Sequence, residues 1–134
     1  MATLHTEYLG ELRTKARHLA SGNELVTDAP IDNKGRGEAF SPTDLLAASL
    51  GSCMITIAGM AAQEHGFSIE GTRIDITKIM ASDPRRVAEV IVDLYFPDNN
   101  YTDKQKAIIR VACLNCPVAK SLHSDLKQTV VFNF

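Results

Sequence analysis

The thiol chemistry open to this chain rests on three cysteines, each in a different local setting. Cys53 lies inside an apolar run, at three- and four-residue spacings with Leu46, Leu50, Ile57 and Met60, so on a helix it falls on the hydrophobic stripe. Cysteine is among the residues most often buried, and burial disfavours the thiolate. A reactive Cys53 therefore needs a cation beside it, and Arg13, Arg17 and Arg36 are the candidates.

Cys116 precedes Pro117, a residue suited to a first helical position, and is expected to cap a short helix running through Leu122. Free N–H groups at a helix start stabilise a thiolate, so position alone makes Cys116 the more acidic thiol. Cys113 completes a CLNC pattern with it. That spacing reads either as a redox pair or as half of a zinc site. The redox motif belongs in a βαβ unit, which the sequence does not announce, and zinc would need His123 and Cys53 or another distant ligand. Packing at the end of an apolar helix is the plainer role for Cys113. No phosphate-binding glycine loop, nucleophile elbow or HExxH is present.

The element that must position Cys53 is the stretch SPTDLLAASLGSCMITIAGMAAQEHG, residues 41–66. Ser41 suits an N-cap, Pro42 the first helical position and Asp44 a capping box; His65 and Gly66 suit the helix end. Leu45 to Ala62 carries no charge, and its polar residues, Ser49, Ser52 and Thr56, are small. Such a run approaches the length of a membrane span. Its Ala, Gly and Ser content, and the alternating segments on both sides, favour a buried central helix instead. A helix apolar all round must be covered all round. A second copy of the chain or a second helix is expected to supply that cover, with Gly51 and Gly59 allowing close approach.

Around the helix, residues 3–19 alternate as one strand and pair with ELVTDAP through a turn at SGN; Leu9, Glu11, Arg13, Lys15 and Arg17 share one face. Residues 30–40 form a loop. A second hairpin follows, with Val90, Val92, Leu94 and Phe96 on one face, and PDNN ends it. Thr102 or Asp103 then caps a helix whose apolar stripe is Ala107, Ile108, Val111 and Ala112, and QTVVFNF closes the chain as a strand. This order predicts an α+β domain, an antiparallel sheet against a helix.

At 134 residues the chain fits a single domain. A formal charge of -2, with Lys and Arg dispersed, speaks against nucleic acid or a membrane surface as partner. The N-terminus MATLHTEYLGEL has neither the basic region nor the apolar core of a signal peptide, which predicts a cytoplasmic, reducing location.

SPTDLLAASLGSCM, followed much later by NCPVAKSL, resembles the OsmC/Ohr family, and the similarity extends over the whole chain in length and element order. The resemblance implies one OsmC-like domain over residues 1–134, with an antiparallel sheet on a long central helix and an intertwined homodimer. It implies a thiol peroxidase acting on small hydrophobic organic hydroperoxides, without cofactor and recharged by an external dithiol. Cys53 would be the attacking thiol and Cys116 the resolving one, against the acidity ranking above. Family peroxidases hold the thiolate with an arginine, here Arg13 with Arg17 and Arg36 in reserve. They orient it with a glutamate just before the helical cysteine; that position is Thr43 here, so Asp44 beside it and Glu38 further back are the candidate carboxylates. The alternative is a non-catalytic stress-related or small-molecule-binding dimer of the same fold, its cysteines kept for packing.

Overall fold

Side-chain alternation over the first 28 residues produces three antiparallel strands in order: β1 (Leu4–Gly10), β2 (Arg13–His18) and β3 (Glu24–Asp28). The computed structural model describes residues 1–97 and 100–134, so Asp98 and Asn99 of the PDNN break lie outside the described residues. The expected single strand over residues 3–19 is corrected here. Gly10, Glu11 and Leu12 all adopt positive φ, +86°, +53° and +63°, which reverses the chain and separates Leu9 from the face that carries Arg13. Gly10 was the available signal, since glycine enters this region without a Cβ penalty.

The loop after β3 folds back onto it. Asp28 N–H donates to the Phe40 carbonyl at 3.1 Å, and Gly37 N–H to the Ala29 carbonyl at 3.2 Å. Gly35 is required there, because a Cβ would lie 1.7 Å from the Ala29 carbonyl oxygen. These strands, the loop and the first turn of the long helix make up one unit, Met1–Leu46; the second unit is Ala47–Phe134.

Helix α1 (Pro42–Glu64) begins as its sequence dictates. The Ser41 hydroxyl accepts from Asp44 N–H and the Asp44 carboxylate from Ser41 N–H, both at 3.0 Å, the reciprocal pattern of a capping box. Its buried face is Ala47, Leu50, Gly51, Met54, Ala58 and Ala62. This rotates the expected stripe: Cys53 is half-buried on its flank, and Met60 is exposed. The cause is close approach to the sheet, since a Cβ on Gly51 would lie 2.4 Å from Ile76 Cδ1. Small residues won the inward face because they bring the helix backbone nearest. Gly59, by contrast, faces open space.

In the second unit β4 (Arg73–Ala81) pairs antiparallel with β5 (Arg86–Tyr95), and Val90, Val92 and Leu94 are fully buried with Phe96 beside them, as the alternation predicts. Helix α2 (Asp103–Leu114) starts at Thr102 through a capping box with Gln105. Its core-facing residues are Ile109 and Cys113, with Ala112 half-buried, while Val111 is exposed; the expected stripe was one step off because the i, i+4 pair 109/113 packs inward. A five-residue helix, α3 (Pro117–Ser121), precedes β6 (Lys127–Asn133). β6 runs parallel to β5, not antiparallel as expected. Helices α2 and α3 thus form the crossover that a parallel pair needs, and CLNC lies in a βαβ unit after all.

Leu50, Met54, Leu94 and Ile109 are among the largest fully buried side chains. Truncating one leaves a cavity, so Leu50→Ala is expected to lower unfolding free energy by about 2–5 kcal/mol, and Gly51→Val by about 1–3 kcal/mol through overpacking. Urea unfolding midpoints measure both, and unchanged values would mean that this face of α1 is not packed.

Candidate functional site

In the first unit Arg13 and Asp28 face each other across β2 and β3 as register partners. Arg13 Nε meets Asp28 Oδ1 at 2.7 Å and Nη2 meets Oδ2 at 2.8 Å, the paired fork geometry of a strong charge-assisted contact. Asp28 is fully buried and also accepts Glu38 N–H at 3.2 Å. The Arg13 hydrogen bonds hold its carboxyl below the usual range; burial opposes this, and the guanidinium charge and the Glu38 and Ala39 amides assist it. Asp28 in turn raises the Arg13 pKa. The carboxylate that orients Arg13 is therefore Asp28, which the sequence reading missed. Its signal was not local: a turn centred on residue 22 would set position 13 opposite 31, whereas the observed register, Arg17 against Glu24, sets it opposite 28.

The other expected residues have distinct places. Glu38 contributes a second, looser contact, Oε2 to Arg13 Nη2 at 3.6 Å, and its side chain is largely exposed. Asp44 is engaged in the α1 cap. The Thr43 hydroxyl lies 3.2 Å from that of Ser41. Arg36 pairs with Glu11, and Arg17 is exposed on β2.

In the second unit the three thiols gather where α1, α2 and α3 meet. Cys116 is fully buried and caps α3, its sulfur accepting Ala119 N–H at 3.4 Å. Its side chain also interacts with that of Cys53. Burial pushes the Cys116 thiol up, against the pull of the Ala119 and Val118 amides, and the hydrogen bond and charge of Cys53 add to the rise. The expectation that helix position makes Cys116 acidic is thus overturned: loss of solvent outweighs the few amides of a five-residue helix. Cys113, fully buried, donates to the Met54 carbonyl at 3.7 Å. Burial and then the charge of Cys116 push it up to about 12.

Among the described residues no group of three His, Cys, Asp or Glu side chains is arranged to hold a metal ion. His123, the ligand a zinc reading needed, is exposed, and its Nδ1 accepts Asp125 N–H at 3.0 Å.

A family model described as OsmC-like protein matches residues 35–131. A crystal structure from Psychrobacter arcticus 273-4, of a protein named for osmotic stress induction and detoxification response, is 53% identical; the match covers 98% of this chain and 95% of that one, with a TM-score of 0.93. The organic hydroperoxide resistance protein OsmC of Legionella pneumophila shares the fold at 15% identity, with TM-score 0.77 and coverage of 100% and 98%. An OsmC-like protein of unknown function from Vibrio cholerae does so at 13% identity, with TM-score 0.77 and coverage of 96% and 97%. No match was found among curated proteins.

The lowered Asp28 carboxyl carries a pH signature. A group with a depressed folded pKa stabilises the fold above its unfolded value, about 3.9, and that contribution is lost as pH falls through the folded value. Stability is expected to drop with acid below about pH 4, and Asp28→Asn to be less stable at neutral pH with a shallower acid limb. Denaturant unfolding at a series of pH values measures this. Identical acid limbs would show that Asp28 is not held ionised.

Proposed function

The chain belongs to the OsmC-like protein family, and from that premise we propose that it is a thiol-dependent peroxidase reducing organic hydroperoxides. The observation that carries the proposal is the contact between Cys53 and Cys116, two thiols from distant parts of the sequence on elements of one unit. The names of similar proteins, stress response and hydroperoxide resistance, agree with it.

In this reading the Cys53 thiolate attacks the distal oxygen of the hydroperoxide. The O–O bond breaks, the alkoxide leaves and takes a proton from solvent to become the alcohol, and Cys53 becomes a sulfenic acid. Cys116 condenses with it, releasing water and forming a disulfide, which an external dithiol reduces. Arg13 is assigned the cation that favours the thiolate, a role for which its fixed seat on Asp28 prepares it. Ile57, one turn along α1 from Cys53 and like it packed against the apolar core, suits an alkyl hydroperoxide better than hydrogen peroxide.

We further propose a homodimer. Leu4, Tyr8, Leu9, Leu12 and Leu25 of the first three strands and their turn are exposed in the single chain, as are Met60, Val111 and Leu114 of the helices. Covering a side chain of this size is worth roughly 1.5–3 kcal/mol, against a domain stability of about 5–15 kcal/mol.

Turnover of cumene hydroperoxide with a dithiol reductant tests the activity. Cys53→Ser is expected to abolish it, and Arg13→Ala to lower kcat/KM by roughly 100-fold; full turnover in Cys53→Ser would leave the non-catalytic reading. For the dimer, the melting temperature is expected to rise with protein concentration, and a folded monomer near 14.6 kDa in sedimentation equilibrium at micromolar concentration would refute it.

A further inference from the structure

Cys113 has no part in the cycle just described, yet it is fully buried and interacts with Cys116. Leu114 ends α2, and Asn115 has φ -119° and ψ 22°, near the geometry of the third residue of a type I turn. The Cα atoms at 113 and 116 of such a turn are within about 7 Å, close to the range that a disulfide spans. Cys116 also touches Cys53. Cys116 thus interacts with two other thiols: Cys53 on α1, and Cys113 at the end of α2.

We propose that Cys113 is a third redox cysteine, which moves the disulfide off Cys53 and onto the CLNC pair before any external reductant acts. The proposal rests on the peroxidase reading for the origin of the first disulfide. The step conserves oxidation state. The Cys113 sulfur, as thiolate, attacks the Cys116 sulfur; the Cys113–Cys116 bond forms, the Cys53–Cys116 bond breaks, and Cys53 leaves as thiolate. The proton lost from Cys113 passes to solvent or to Cys53. In exchange, the better-stabilised thiolate is the better leaving group. Cys113 and Cys116 are fully buried, whereas Cys53 is half-buried, so a departing thiolate is better solvated at Cys53 and the disulfide favours the buried pair. The raised Cys113 makes the step slow, so the first disulfide accumulates before it rearranges.

The consequence is capacity. Oxidising equivalents are stored in the buried pair while Cys53 is returned as a thiol able to meet a second hydroperoxide.

The test follows disulfides after reduced protein is mixed with excess cumene hydroperoxide and no reductant, with alkylation quenches at successive times and peptide mapping. In the wild type the Cys53–Cys116 peptide is expected first and the Cys113–Cys116 peptide later. Peroxide consumption before any over-oxidation to sulfinic acid should reach about two equivalents per chain. In Cys113→Ser the first link persists and consumption stops near one. A wild type that keeps Cys53–Cys116 at all times and matches Cys113→Ser refutes the relay and leaves the peroxidase reading standing.

If no peroxide is consumed, the peroxidase reading fails instead, and a second arm decides the relay alone. Wild-type protein equilibrated in a glutathione redox buffer should hold Cys113–Cys116 over Cys53–Cys116 by roughly tenfold or more; the reverse ratio refutes it.

Discussion

The approach of α1 to the β4–β5 sheet sets the geometry on which the thiols depend. Gly51 lets the helix backbone settle against Ile74 and Ile76, and Ala47, Ala58 and Ala62 keep that face low. Contact at this range fixes the rotation of the helix about its axis, and successive residues are separated by about 100°. Cys53, two residues from Gly51, is therefore turned away from the sheet and onto the flank. A larger inward residue would shift this rotation and with it the sulfur. Packing density and thiol placement are consequently one constraint, not two.

Much of this was legible in the sequence because the signals were local. The Ser41 and Asp44 cap, the Thr102 cap, Pro117 after Cys116, and the alternation of Val90, Val92, Leu94 and Phe96 each depend on neighbours within a few residues, and each stands in the structure as read. What was not legible depended on partners far along the chain. The direction of β6 is decided by the two helices that return to it, and nothing within QTVVFNF states it. Hydrophobic spacing does not give the inward face of α1, because closeness of approach decides it and small residues allow the closest. Asp28 is hidden for a related reason: the register that sets it opposite Arg13 is not the one that a turn centred on SGN gives.

The two charge problems in the molecule have opposite solutions. Asp28 is buried and ionised because a guanidinium and backbone amides replace the water it lost. Cys113 is buried with a carbonyl as its hydrogen-bonding neighbour, and a carbonyl accepts a proton without stabilising an anion, so this thiol stays neutral. Each group's surroundings select its resting protonation state: an ion at Asp28, an uncharged sulfur at Cys113.

Cys116 adds a mechanical side to this contrast. Its sulfur is the acceptor for Ala119 N–H at the start of α3, a helix of only five residues. That contact organises the first turn, and a helix this short has little cooperativity to hold itself together without it. One sulfur thus holds the start of a segment of backbone in place. Any chemistry at that sulfur is done on an atom that also anchors the chain around it.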